Sequence, residues 1–436
     1  LREQSNIEIR WKRIILYGIY LLLFIPFIQN VTHLKKQIRP LDGAFYKEND
    51  IVFSWEDWFK GTYSSQKDKY IKENFGFHNY YVRAICQLNF WIFNKANAAY
   101  VVVGKDNYLY ETGYIEAYYG RDFIGKQRIH NYIKKLKRVQ DSLEKKNKLI
   151  VAVFAPGKAG FYPEYIPGSY RGEPKTSNYE WFIKTIQEQN VNHIDFNSYF
   201  RRQKYKSKYP LYPQLGIHWS NYGSFMAYDS MLTYFESKLG VDLPDLELKN
   251  MEINDTLKYP DDDAVNSLNL FFRPKTFKMA YPNYKVKYDS LKHTKLNLLV
   301  ISDSFWWCVY SSHLPDSAFT SSRFWFYNEE MYPESHYSPT YVSQVDYASK
   351  IRKADIIMIL HSEHTLTRFG GGFIDMAYET YCHPGLGKER LQRMKESIRA
   401  TPEWYQQVVT KAGERNITVD SMLTIDAIYS LEQLKK

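Results

Sequence analysis

The sequence predicts an α/β fold, a three-layer sandwich around a mostly parallel sheet, preceded by one transmembrane helix. Three observations carry this. The run Leu149–Ala155 is continuously apolar, and Leu296–Ile301 and Asp355–Leu360 are apolar but for Asn297 and Asp355, as strands buried on both faces are. Helical patterns separate them, which is the alternation of a layered α/β domain. Near the N-terminus, 21 consecutive residues between Arg13 and Lys35 carry no Asp, Glu, Lys or Arg.

That stretch is strongly apolar from Ile14 to Ile28. About 20 residues at 1.5 Å rise cross a hydrocarbon slab of about 30 Å. Gln29, Asn30, Thr32 and His33 weaken its far end and suit an interface, and Pro26 near that end is tolerable in a membrane helix. A cleaved signal peptide is the rival reading, but no small-x-small site follows. Arg10, Lys12 and Arg13 flank one side and Lys35, Lys36 and Arg39 the other, so flanking charge does not fix orientation. A short tail before a large body favours the N-terminus inside and the body outside.

Residues 1–34 are therefore read as an anchor. Residues 35–110 form an aromatic-rich extension. Within it, Trp55–Gly61 and Glu73–Arg83 suggest short helices, and Ala98–Tyr110 suggests a hairpin around G-K-D-N. Residues 111–385 form the α/β domain. There Ile129, Ile133, Leu136, Val139 and Leu143 recur at helical spacing before the first buried strand. Tyr179–Gln189 and Asn221–Leu239 read as helices, and Val191–Phe196 as a short strand. Residues 241–290 look polar and irregular, an insertion or small added lobe. Residues 386–436 read as a charged helical tail.

Composition bounds the function. Hydrophobic residues make up 44% and charged residues 24%, which excludes wholesale disorder. The net charge of +10 is spread along the chain without a basic arm, against a nucleic-acid role. Attraction to anionic lipid or glycan remains open beside a plain solvated surface. Aromatics reach 17%, with 39 tyrosines. Flat amphipathic rings suit a carbohydrate surface, though compositional bias produces the same excess. Cys86, Cys308 and Cys382 give neither a disulfide framework nor a metal pair.

Three stretches could carry chemistry, each at the carboxyl end of a strand or just before a helix. L-L-V-I-S-D-S-F runs from a buried strand into Ser302-Asp303-Ser304. A serine there is exposed on a rigid support, with following amides placed for an oxyanion. A simple helix cap reads the same way. Y-P-Q-L-G-I-H-W-S-N-Y-G holds His218, which has the right chemistry to deprotonate a serine hydroxyl and is equally a packing residue. F-A-P-G-K-A-G-F-Y-P-E holds Lys158, a loop lysine or an anchor for an acidic group. H-S-E-H at His361–His364 reads as structural or as a pocket-edge contact rather than zinc. Gly370–Gly372 lacks the G-K-[ST] of a phosphate loop. No metal or cofactor is expected.

With F-G-F-H-N-Y-Y-V-R and V-V-V-G-K-D-N-Y-L-Y ahead of them, these stretches resemble the SGNH-hydrolase-like domains of the AlgX/AlgJ alginate O-acetyltransferase type, in membrane-anchored bacterial form. The resemblance implies an SGNH-like sandwich, with Ser304 as acyl-accepting nucleophile and His218 as its base. It implies an O-acetyltransferase working on a polysaccharide in the periplasm from a single-pass inner-membrane anchor. Its acyl donor would be relayed by a multi-spanning MBOAT protein. Lys158, Trp219 and Tyr212 are the candidate substrate contacts. The family's D-x-H-W has Gly216 here in place of the acid that orients the histidine. Asp195 is the first substitute to consider and Asp303 the second. A slower Ser–His dyad is a further outcome, and so is a domain that only binds glycan. An acetylesterase would use the same residues.

Overall fold

The computed structural model describes residues 2–32, 39–43, 51–382, 386–415 and 417–433. The chain divides into two units. The first comprises residues 1–103 and 263–275, and the second residues 104–262 and 276–436.

In the first unit, helix Arg2–Thr32 contains Ile9–Gln29, which is long and apolar enough to cross a membrane. Lys35 and Lys36 lie outside the described residues. Helices Trp55–Phe59, Thr62–Asn74 and His78–Phe93 follow, so the first expected segment is helical to Phe59 and the second is broken at Phe75–Phe77. Ser54 caps the first of these by accepting the Asp57 N–H at 3.1 Å. Val101–Val103 is extended, and so is Leu109–Glu111 in the second unit, as the two runs around G-K-D-N require.

The second unit is built on six strands: β1 Leu149–Ala155, β2 His193–Asp195, β3 Asn297–Ser302, β4 Ser321–Phe326, β5 Glu330–Tyr332 and β6 Ile356–Ser362. Their order is β2-β1-β6-β3-β4-β5. All neighbours are parallel except β4 and β5, which form a hairpin. β1, β3 and β6 are buried along almost their whole length, which is why they read as unbroken apolar runs. One face of the sheet is covered by helices Lys126–Glu144, Asn178–Glu188 and Phe373–Cys382. Their Ile133, Leu136, Phe182 and Phe373 pack with Ile150, Ala152, Leu299 and Ile359. Helix Asn221–Leu239 lies in the opposite layer and buries Tyr228, Met231 and Phe235.

One expectation is corrected. Residues 241–290 are not irregular: Asp245–Asn254 and Met279–Lys287 pair as an antiparallel ribbon, and residues 263–275 between them belong to the first unit. Helices Leu386–Ala400, Pro402–Glu414 and Val419–Gln433 close a small core of Ile398, Val408, Ala412, Met422 and Leu423.

The register decides where chemistry can sit. Ser362 pairs with Ala155, Leu360 with Ser302, and Ser302 with Phe326. The carboxyl ends of β1, β6, β3 and β4 therefore share one edge. Pro156–Gly160, Asp303–Ser304, Glu363–Gly372 and Tyr327 all emerge there.

Candidate active site

Ser304 opens a 3-10 turn directly after β3 and is half-buried. His218 lies in the loop before helix Asn221–Leu239 and is also half-buried. The fold brings them together: His218 Nε2 is 2.8 Å from Ser304 Oγ. The residues that follow each are also tied. Trp219 Nε1 donates to the Phe305 carbonyl at 3.2 Å, and the Phe305 ring packs on His218 and Trp219 with centroids 4.9 and 5.3 Å away. Two adjacent links set the angle between the loops, which one contact would leave free.

Asp303 holds the turn that carries Ser304. It is fully buried. Its Oδ1 accepts the Phe305 N–H at 3.0 Å. Its Oδ2 accepts the Ser362 N–H, the Ser362 hydroxyl and the Thr365 hydroxyl at 2.8, 2.7 and 2.6 Å. The carboxylate thus clamps the end of β3 to the end of β6 rather than facing His218. His361 extends the clamp: the Gly370 N–H points at its Nε2 at 3.0 Å, so Nδ1 carries the ring proton toward Thr365 Oγ1 at 2.9 Å. Burial pushes the His361 pKa down, which keeps the ring neutral. Among the described residues no cluster of His, Cys, Asp and Glu is arranged to hold a metal.

The amides after Ser304 are already engaged. Phe305 N–H goes to Asp303 and Trp307 N–H to the Ser304 carbonyl. Sequence reasoning missed Tyr327, whose hydroxyl lies beside Ser304. Burial pushes its pKa to about 12, so it remains a donor at neutral pH. Tyr327 and Asn328 form the β4–β5 turn, with φ of 53° and 60°. The only hint in the sequence is Y-N between two short aromatic runs.

Lys158, Trp219 and Tyr212 do not line the crevice. All three are fully buried. Tyr212 OH donates to the Pro156 carbonyl. Lys158 Nζ donates to the carbonyls of Gln214 and Gly216 at 2.8 and 2.6 Å, with the Tyr108 and Tyr110 rings 5.7 and 5.5 Å away. Each therefore braces the loop that presents His218. Asp195 stands apart from this group: it caps helix Phe196–Gln203 by accepting the Ser198 N–H at 3.0 Å and also binds Tyr179 OH.

Gly216 has a steric reason. A Cβ there would lie 2.8 Å from each of the Pro260 and Asp261 carbonyl oxygens and from Pro213 Cγ. The space where the family's acid would begin is taken by backbone from the 260–261 loop. Asp261 is itself fully buried, and its Oδ1 accepts the Asn221 N–H at 3.2 Å, at the start of the helix behind His218. Gly216→Asp therefore does not restore a better triad. We expect it to cost about 3 kcal/mol of stability by overpacking and to lower turnover, as read by denaturant midpoint and ester assay together.

Glu363, next after β6, is the site's titrating group. Its side chain is buried against Gly157 and Gly160, and Arg201 Nη2 is 3.6 Å from Oε1. Burial raises its pKa to about 7, against a pull downward from Arg201. The folded chain thus keeps this proton at a pH where the unfolded chain, near 4.5, has lost it. The resulting stability is full below pH 4.5 and is lost as pH rises to about 7. The drop is of order 3 kcal/mol. Glu363→Gln is expected to flatten that part of the stability–pH curve; an unchanged slope counts against the buried carboxyl.

A basic groove of about 860 Å³ adjoins this edge, lined among others by Lys126, Arg128, Lys134, Arg138 and Arg368. The Arg368 guanidinium lies 4.4 Å over the Tyr327 ring, so one cation of the groove touches a neighbour of Ser304.

Residues 101–272 match the family described as "SGNH hydrolase-like domain, acetyltransferase AlgX". His218 falls within the match and Ser304 beyond it. No curated protein matches the chain. Among solved structures, the chain is similar to the O-acetyltransferase domain of Pseudomonas putida AlgJ, with 16% identity and a TM-score of 0.43, covering 64% of this chain and 99% of that one. It is also similar to Pseudomonas aeruginosa AlgX, with 14% identity and a TM-score of 0.41, covering 63% and 67%. Residues 101–272 are thus similar to the SGNH-hydrolase-like domain of the AlgX acetyltransferase family.

Proposed function

We propose that this protein is an O-acetyltransferase that moves an acetyl group to a hydroxyl of an acidic polysaccharide through an acyl-enzyme on Ser304. The observation that carries the reading is the 2.8 Å contact between His218 Nε2 and Ser304 Oγ. A serine hydroxyl is a poor nucleophile unless a base takes its proton as it attacks. Ser304 Oγ adds to the donor's acyl carbonyl while its proton passes to His218 Nε2. The carbonyl oxygen becomes an oxyanion, for which the Ser304 N–H and the neighbouring Tyr327 hydroxyl are the donors to test. Collapse expels the donor's leaving group, which takes the proton from Nε2. A sugar hydroxyl then gives its proton to Nε2 and attacks the acyl-enzyme, and collapse returns that proton from Nε2 to the departing Ser304 Oγ, releasing the acetylated sugar.

The basic groove supports an acidic acceptor, because a chain of carboxylates is held there by charge. The apolar Ile9–Gln29 helix supports anchoring in a bacterial inner membrane, with the reaction in the periplasm. There a multi-spanning MBOAT-type protein would supply the acyl group. Water in place of the sugar makes the same site an acetylesterase.

Acetyl transfer from p-nitrophenyl acetate to a polyuronate, measured against hydrolysis, tests the reading. Transfer that exceeds hydrolysis supports it, and hydrolysis unaffected by any glycan contradicts it. The groove adds an expectation: Lys134→Ala/Arg138→Ala raises KM for the polyuronate by about tenfold. Two lost charge contacts of roughly 0.7 kcal/mol each have that effect. KM for p-nitrophenyl acetate changes far less.

A further inference from the structure

In the first unit, helix His78–Phe93 is built inside out. Its buried residues are Arg83, Cys86, Gln87 and Phe90, so two of the four inward side chains are polar. The Arg83 guanidinium donates to the carbonyls of Leu270, Arg39 and Pro40 at 3.4, 3.3 and 2.9 Å. Gln87 Oε1 accepts the Phe272 N–H at 2.9 Å. The outward residues are Ile85, Leu88, Trp91, Ile92 and Phe93, each more than half exposed. Phe272, 66% exposed, stacks on Trp91 with centroids 5.9 Å apart. A helix in water shows the opposite pattern, with its apolar stripe inward. A second aromatic group stands exposed on Phe53, Trp55, Trp58 and Phe59, beside Lys60.

The apolar N-terminal helix says what covers these faces. Pro26 has no N–H, so the Leu22 carbonyl four residues earlier loses its helical donor. Tyr81 OH donates to that carbonyl at 3.4 Å. The Phe77 N–H donates to Gln29 Oε1 at 3.1 Å. Gly76 lies so close that a Cβ there would be 2.0 Å from the Pro26 carbonyl oxygen. In hydrocarbon a freed carbonyl must find a protein donor. Leu22 lies about 10 Å inside the Gln29 end of the stretch, at 1.5 Å per residue. The segment 76–81, and the inside-out helix that begins in it, is therefore level with the outer part of the span.

We propose that the first unit is a bilayer-interface platform. Helices His78–Phe93 and Trp55–Phe59, with Phe272, rest their exposed aromatic and aliphatic side chains in the boundary between headgroups and acyl chains. Trp and Tyr favour that depth, and a lysine beside an aromatic patch suits anionic headgroups. The proposal rests on Ile9–Gln29 being a membrane span, and the experiment separates the two.

The full chain, with Cys86, Cys308 and Cys382 replaced by alanine, is placed in phosphatidylcholine/phosphatidylglycerol nanodiscs. Single nitroxides are attached at Leu21→Cys, Phe59→Cys and Ile92→Cys, all at exposed positions. Collision rates with oxygen, which enters lipid, are compared with those of a water-soluble nickel chelate. The platform predicts that oxygen exceeds nickel several-fold at all three positions. A lipid signature at Leu21 with nickel dominant at Phe59 and Ile92 overturns the platform and leaves the span standing. Labels at Phe59 and Ile92 shielded from both reagents mean that protein covers these faces, which also overturns it. Nickel dominance at Leu21 removes the span and the platform together.

Discussion

Ser304→Ala is expected to lower acetyl-ester turnover by at least about 10³-fold, with KM little changed, because it removes the atom that forms the new bond. His218→Ala is expected to fall nearly as far, and the double variant no further than the single ones. Groups that act as one unit lose function once, not twice. Fluorophosphonate labelling reports the same thing without an acceptor. Wild type labels at Ser304, while Ser304→Ala does not label at all. His218→Ala labels slowly, because the hydroxyl stays in place without its base. Full labelling of His218→Ala at the wild-type rate would mean that the 2.8 Å contact is packing rather than catalysis.

The second large effect is on Lys158. Its ammonium is fully buried and spans the carbonyls of Gln214 and Gly216, two residues before His218. Lys158→Met keeps the volume and leaves two buried acceptors without their charged donor. A hydrogen bond to a charged group contributes about 1.5–3 kcal/mol, so the loss is expected near 3–5 kcal/mol. The loop then loosens where it carries the imidazole, so kcat falls while KM for a small ester holds. Lys158→Arg rescues little, because a fork of planar donors does not fit a point between two carbonyls. Denaturation of both variants, with ester kinetics, reads the two effects separately. A loss confined to KM would return Lys158 to the role of substrate contact.

The parts of the fold that were legible in the sequence are those in which burial leaves no choice of residue. β1, Leu149–Ala155, coincides with the expected run because both of its faces are covered, and helix Asn221–Leu239 coincides because Ser220 caps it and Gly240 ends it. The ribbon Asp245–Asn254 with Met279–Lys287 was hidden by its exposure. Its alternation is short, its outward residues are charged, and Pro282 sits within one strand. Ser304 and His218 were legible as residue types, but their contact depends on a loop closing over 86 residues of sequence separation. Lys158 misled because a lysine at a strand end usually faces solvent; here two main-chain carbonyls and two tyrosine rings replace the water. Tyr327 carried no motif, and only the β3–β4 pairing brings it to the serine. The basic groove was invisible for the same reason: Arg368 joins Lys126–Arg138 only through the fold.

One mechanical picture connects these residues. Asp303 fixes the serine's turn to β6 from below. Lys158 and Tyr212 fix the histidine's loop to β1, and Trp219 ties the two loops to each other. Gly216 lets the 260–261 backbone close behind that loop. The Ser304–His218 pair is the small exposed part of a buried polar scaffold, which is how a half-buried contact keeps its geometry.

The account stands on Ser304 carrying the acyl group. Brief exposure of the full chain to p-nitrophenyl acetate, an acid quench, and peptide mass spectrometry test it most directly. The result expected is a single added acetyl on the peptide containing Ser304, absent from Ser304→Ala and discharged faster when a polyuronate is added before the quench. Acetyl found on lysine side chains alone, with the Ser304 peptide unmodified at every time point, would contradict it.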